Sequence, residues 1–188
     1  MFCYPLYDYH YINLSKHQGN YLEIGVYNGD AIANLAKAYP NKCIIGIDPF
    51  IEDGCTSHKS GVIKGSRLLL PREETYKNIN GLKNIFFYEM TSEYFYLNIT
   101  EKHISDANVN VVMIDGDHSY EAAKIDIDLA LKLIGNKSGE ISFDDAELDE
   151  VSRAMLYFEN LVGHRITNKI RVVPEYGCYV YTLSEIKS

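Results

Sequence analysis

No stretch of the 188 residues approaches the 18 or more apolar residues of a membrane span; the longest are short pieces such as Val111-Val112-Met113-Ile114. The first residues, MFCYPLYDYH, have no basic segment followed by an apolar one, so no secretory signal is expected. The cysteines Cys3, Cys43, Cys55 and Cys178 are scattered without a C-x-x-C pair. That usage fits reduced thiols better than a disulfide framework, and the expected location is the cytoplasm. Basic charge is scarce as well, with 18 Lys and Arg against 26 Asp and Glu and a net charge of −8. A nucleic-acid binder needs a basic stripe to neutralise phosphates, and none is present, so neither nucleic acid nor membrane is expected as a partner. Repeats, low-complexity stretches and linkers are also lacking. The expectation is one domain over residues 1–188, and a homo-oligomer is compatible with it.

The acids are unevenly placed: residues 105–160 hold 13 acidic and 4 basic side chains. Such a balance suits a cation site or a neutral or basic substrate, although surface acids also serve solubility alone. Tyr21–Ile24 and Cys43–Ile47 read as strands flanking a helix over Ala31–Ala38, a βαβ unit with parallel strands. Further strands are expected at Ile85–Tyr88, Val109–Ile114 and Ile141–Phe143, and helices at about 72–82, 119–134 and 148–161. In the second of these helices Ala122, Ile125, Leu129 and Leu133 step by three or four and predict one buried face. Ile170–Val173 and Cys178–Leu183, across a Gly-containing turn, predict an antiparallel hairpin. The fold class is therefore α/β, a three-layer sandwich around a mostly parallel sheet. Residues 1–19 are expected to form an N-terminal cap, and residues 52–70, polar and without periodicity, a lid or insertion.

In an open α/β sheet, ligands bind beyond the carboxyl ends of the strands. The first strand ends in Glu23-Ile24-Gly25-Val26-Tyr27-Asn28-Gly29-Asp30. Tyr27 stands where a dinucleotide fingerprint wants its second glycine, so the turn suits an amino-acid group better than a pyrophosphate. Turn chemistry alone also explains a pair of glycines. Asp48 ends the second strand, placed to accept both hydroxyls of a ribose or to initiate an Asp-Pro turn. The fourth strand runs into Asp115-Gly116-Asp117-His118-Ser119-Tyr120, and the fifth ends in Asp144-Asp145. Carboxylates converging from adjacent strand tips suit Mg²⁺, which takes a few carboxylates and keeps waters. The competing reading is that Asp117 and Asp144 cap the helices that follow.

Together YLEIGVYNGD, IIGIDPF, YEMTSEYF, VVMIDGDHSYEAAKIDI and ISFDDAE resemble the class I S-adenosylmethionine (SAM)-dependent methyltransferases. More narrowly, they resemble the family that includes the macrolide and aminocoumarin sugar O-methyltransferases. The resemblance runs from about Tyr21 to Ala146. It implies a Rossmann-like seven-stranded sheet in the order 3-2-1-4-5-7-6. It also implies that Glu23, Gly25, Val26, Tyr27 and Gly29 hold the methionine part of SAM, and that Asp48 holds the ribose. Met90, Thr91 and Ser92 correspond to the segment beside the adenine. Asp115, which also borders the cofactor, joins Asp144 and Asp145 as ligands of Mg²⁺ or another divalent cation, and Asp117 and His118 match positions that relatives use as general base. The implied reaction is methyl transfer to a hydroxyl of a small-molecule acceptor, a sugar, glycan or small polyol. His118 is the first choice of base, because an unperturbed imidazole titrates near neutrality. The rival expectations are a nicotinamide-dependent dehydrogenase and a non-catalytic SAM-binding protein.

Overall fold

The computed structural model describes residues 5–51, 69–173 and 177–187. One sheet holds β1 (Asn20–Ile24), β2 (Ile44–Ile47), β3 (Ile85–Tyr88), β4 (Val109–Ile114), β5 (Gly139–Phe143), β6 (Ile166–Val173) and β7 (Cys178–Leu183). Their order is β3-β2-β1-β4-β5-β7-β6, as expected. Only β7 is reversed, pairing antiparallel with β5 and β6, while the other neighbours are parallel. The helices are α1 (Pro5–Asn13), α2 (Asp30–Ala38), α3 (Leu69–Ile79), α4 (Ser92–Asn98), α5 (Glu101–Ala107), α6 (Tyr120–Ile134) and α7 (Asp149–Val162). Among the described residues no helix is long and apolar enough to cross a membrane. Of the expected lid, residues 52–68 lie outside the described residues, and residues 69 and 70 open α3.

The parallel register brings Leu22 level with Ile45 and Val112, and Ile24 level with Ile47 and Ile114. These side chains pack with Ile127, Leu133 and Phe158 of α6 and α7. Tyr21, Ile44, Val111 and Met113 point to the opposite face, where Leu6 of α1 and Ile32 and Leu35 of α2 cover them. Both faces are covered, which is why these strands read as continuous apolar runs rather than alternating ones. The chain leaves β1 outward to β2 and β3 and returns to β4, so the order switches between β1 and β4. A crevice opens beyond their carboxyl ends. The buried face of α6 keeps Ala122, Leu129 and Leu133 of the expected one and is wider. It passes through Ala122, Ala123, Asp126, Leu129, Ala130 and Leu133, while Ile125 is only half-buried.

α1 is seated by polar as well as apolar contacts. Ser142 Oγ donates to the Val112 carbonyl at 3.3 Å, so the hydroxyl accepts the 2.8 Å bond from His10 Nε2. Burial lowers His10 from 6.5 to about 4, so the folded chain holds a neutral imidazole. Between those two pH values the unfolded chain binds a proton that the folded chain refuses, and stability falls as the pH drops through the window. The loss approaches about 3 kcal/mol below it. Asp115 and Asp126, which burial pushes up to about 7, titrate with the opposite sign. The test is therefore a comparison of urea denaturation from pH 7 to pH 4 in wild type and His10→Gln. The variant keeps a donor for Ser142 and should lose less stability on acidification; parallel curves would refute the assignment.

Candidate functional site

Gly25, Tyr27 and Gly29 all have positive φ, at 85°, 51° and 76°, so the turn after β1 coils with its amides turned inward. Asp48, at the tip of β2, meets them: its Oδ2 accepts from the Val26 and Tyr27 amides, each at 2.8 Å. Its Oδ1 accepts from the Phe50 amide at 2.6 Å. A carboxylate offers about four acceptor positions, so this clasp leaves room for one further donor. Burial raises the Asp48 carboxyl, and the three amides work against that rise. Thr75 of α3 closes the turn from outside, donating to the Tyr27 carbonyl at 2.6 Å.

At the tips of β4 and β5, Asp115, His118 and Asp145 each offer a ligand atom, all within 4.8 Å of one another. His118 Nε2 lies 3.0 Å from Asp145 Oδ2 and 3.9 Å from Asp115 Oδ1. Burial pushes Asp115 up to about 7; His118 opposes the rise, and the charges of Asp144 and Asp145 add to it. Asp115 and Asp145 held this close to one imidazole, with Asp115 desolvated, favour a bound cation or a proton transfer. The turn, Asp48, Asp115 and His118 line one cleft of about 280 Å³. A larger cavity of about 350 Å³, lined by Phe86, Tyr88, Phe95 and Leu133 among others, lies between the sheet and α4–α5. Size favours the second, but the converging polar groups are in the first, and polar groups orient a reacting ligand.

Over residues 22–146 the sequence matches the family model of a methyltransferase domain. The chain belongs to the methyltransferase-domain family. It is 29% identical over 176 residues to an uncharacterized protein, R132, of Acanthamoeba polyphaga mimivirus, a match covering 89% of this chain and 71% of that one. Its fold is similar to that of the O-methyltransferase TomG from Streptomyces achromogenes, solved with SAM. There the TM-score is 0.68 at 14% identity, over 98% of this chain and 82% of the other. It is also similar to the calicheamicin methyltransferase CalS11, with a TM-score of 0.61 at 15% identity, over 95% and 77% of the two chains.

In this methyltransferase the expected site residues divide into groups. Gly25, Tyr27, Asp48, Thr91, Ser92, Asp115, Asp117 and His118 line the cleft. Val26 is buried in the core and faces Asp48 only through its amide. Gly29 caps α2, and a Cβ there would stand 2.9 Å from the Thr75 methyl. Glu23 lies fully buried beneath the turn, with Oε2 accepting from the Tyr21 hydroxyl at 3.1 Å. Its Oε1 has no hydrogen-bond partner among the described residues, and burial raises the carboxyl well above its usual range. Met90 lines the larger apolar cavity instead. Thr91 is the N-cap of α4, accepting from the Tyr94 amide at 3.2 Å.

Two placements differ from the sequence expectation. Asp144 is buried, and its Oδ1 accepts the Cys178 thiol at 2.8 Å and the Asp145 amide at 2.9 Å. It is not one of the three side chains that converge; His118 stands there instead. Asp117 Oδ1 accepts from the Ser119 amide at 2.8 Å, so that carboxylate also braces the turn into α6. Other cleft residues carry no expectation, Glu93 and the buried Asp126 among them. Asp126 of α6 is 1% exposed and borders the cleft. The signal that could have found it is an acid on the buried stripe of an amphipathic helix.

Proposed function

We propose that this protein is a SAM-dependent O-methyltransferase that uses a divalent cation and methylates a hydroxyl of a sugar or small polyol. The observation that carries the reading is the convergence of Asp115, His118 and Asp145 beside a glycine turn clasped by Asp48. Two of the fold neighbours support oxygen as the acceptor. TomG is described as an O-methyltransferase, and CalS11 as a TDP-rhamnose 3'-O-methyltransferase. The dehydrogenase reading loses ground at the turn. A pyrophosphate would need the Val26 and Tyr27 amides, which already bind the Asp48 carboxylate.

The donor set fits a hard cation. Asp115 and Asp145 offer carboxylate oxygens, and Mg²⁺ binds through one or two carboxylates while keeping waters. When bound, such an ion would stabilise the developing alkoxide. The chain's own residues supply the rest. Asp48 orients the ribose through its remaining acceptor position. The orphaned oxygen of Glu23, beneath the turn, favours the cofactor's ammonium end nearby. His118 takes the proton of the acceptor hydroxyl as the oxygen attacks the methyl carbon in line. The C–S bond breaks as the C–O bond forms, the electron pair stays on sulfur, and S-adenosylhomocysteine leaves as a neutral thioether.

Calorimetry with S-adenosylhomocysteine, then with Mg²⁺, and a methyl-transfer assay over a panel of sugars and polyols test the proposal. Saturable S-adenosylhomocysteine binding is expected, and Asp48→Ala should weaken it by about 1–3 kcal/mol by removing a hydrogen-bonded charge. Unchanged affinity in that variant would sink the ribose assignment. EDTA should abolish turnover and leave S-adenosylhomocysteine binding mostly intact, and Asp145→Asn should weaken Mg²⁺ in a direct titration. Full turnover in excess EDTA would remove the cation from the reaction.

A further inference from the structure

Helix α3 buries a hydroxyl where a methyl group would pack as well. Of its described residues only Pro71 and Thr75 are buried, Thr75 completely. The Thr75 hydroxyl lies 2.6 Å from the Tyr27 carbonyl and 2.9 Å from the Pro71 carbonyl. It has one proton to give, and in a regular helix the carbonyl four residues back already accepts from the backbone amide. The hydroxyl is therefore free to serve Tyr27, the nearer of the two. One turn further along α3, Asn78 uses both hydrogens of its side-chain amide on the same turn. It donates to the Asn28 carbonyl at 3.0 Å and to Asp30 Oδ1 at 2.8 Å. The helix is anchored in its own right at the end of β3, where Glu89 accepts from Arg72 Nε at 2.9 Å and from the Tyr76 hydroxyl at 2.7 Å.

These bonds fix consecutive peptide planes of the turn after β1. The Tyr27 amide points to Asp48, the Tyr27 carbonyl to Thr75, and the Asn28 carbonyl to Asn78. Tyr27 has a side chain, yet its φ is 51°. Such a residue stays in the left-handed region only where its surroundings hold it there. If that φ relaxes, the Tyr27 amide and carbonyl can no longer meet Asp48 and Thr75 together. We propose that Thr75 and Asn78 are positioning residues for the cofactor: from outside the cleft they hold the turn in the one shape whose amides meet Asp48, before any ligand arrives. This inference rests on the SAM reading above. Neither residue is among those that line the cleft, so the effect passes through the turn. A released turn spends part of its time in shapes that do not bind, and apparent affinity falls with the competent fraction.

The test combines S-adenosylhomocysteine calorimetry with hydrogen exchange of the Val26 and Tyr27 amides, on wild type, Thr75→Val, Thr75→Ser and Asn78→Ala. Thr75→Val keeps the shape and removes the donor, so affinity should fall about 5- to 30-fold. In that variant the two amides should exchange faster in the free protein and regain protection when the ligand saturates it. Thr75→Ser keeps the hydroxyl and should stay within about threefold of wild type, while the half-buried Asn78→Ala should lose about two- to fivefold. Thermal denaturation establishes that each variant folds. Wild-type affinity in Thr75→Val, or equal losses in Thr75→Ser and Thr75→Val, overturns the proposal. Weakened binding with unchanged exchange at Val26 and Tyr27 does so too, since that marks a merely structural role. Should Thr75→Val not fold, wild-type affinity and exchange in Asn78→Ala overturn it. Wild type that does not bind S-adenosylhomocysteine overturns the SAM reading instead, and the exchange rates then still decide whether α3 holds the turn.

Discussion

His118→Ala is expected to lower turnover by about 10²–10⁴-fold, the usual share of general-base catalysis. S-Adenosylhomocysteine affinity should barely move, because the imidazole faces Asp115 and Asp145 rather than the clasp around Asp48. The structure sharpens the experiment, because His118 occupies the place that Asp144 was expected to fill in the cation cluster. A base and a ligand predict different things. If His118 is the base, the variant binds Mg²⁺ nearly as tightly as wild type, and the part of the pH–rate profile that rises as the base loses its proton disappears. If His118 is a ligand, Mg²⁺ affinity falls together with turnover, and the base must be sought elsewhere. Asp117→Asn should cost less than either, since the amide oxygen can still accept from the Ser119 amide. Asp117→Asn near-dead beside an active His118→Ala would transfer the base role to Asp117.

Much of this site is legible in the sequence because parallel strands end in a line. Buried on both faces, β1, β2, β4 and β5 stand out as apolar runs, so the acids that end them, Asp48, Asp115, Asp144 and Asp145, must meet at one edge. What the strand ends do not reveal is where each side chain turns. Asp144 and Asp145 are adjacent, yet Asp145 has φ of 50° and faces His118, while Asp144 faces Cys178 of β7, a strand distant in sequence. Helices α4 and α5 show no periodic signal for another reason: each has seven residues and none buried, too short for an apolar period to show. Their caps were visible, with Thr91 and Thr100 each accepting from the amide three residues on. Asp126 carries no such signal, because it lies in the second turn of a helix rather than at a strand tip.

Gly25→Ala is expected to destabilise the fold by roughly 2–6 kcal/mol, combining left-handed backbone strain with overpacking against a rigid neighbour. The residue after β1 is held between the tips of β2 and β4. The Asp115 amide donates to the Ile24 carbonyl and the Gly25 amide to the Ile47 carbonyl, each at 2.9 Å. A Cβ on Gly25 would stand 1.7 Å from the Asp115 carbonyl oxygen and 2.4 Å from its carbon, so the β4 backbone itself must move. That movement carries Asp115 away from His118 and Asp145, and cofactor and cation binding should be lost together. Gly81→Ala separates the two causes: Gly81 has φ of 79°, close to the 85° of Gly25, but nothing lies within 4 Å of its added Cβ. It should cost only about 1–2 kcal/mol, the strain alone. Urea denaturation of both variants, with S-adenosylhomocysteine titrations on whatever remains folded, reads the difference. Equal losses in the two would mean that the close approach of β1 to β4 contributes nothing to holding the site.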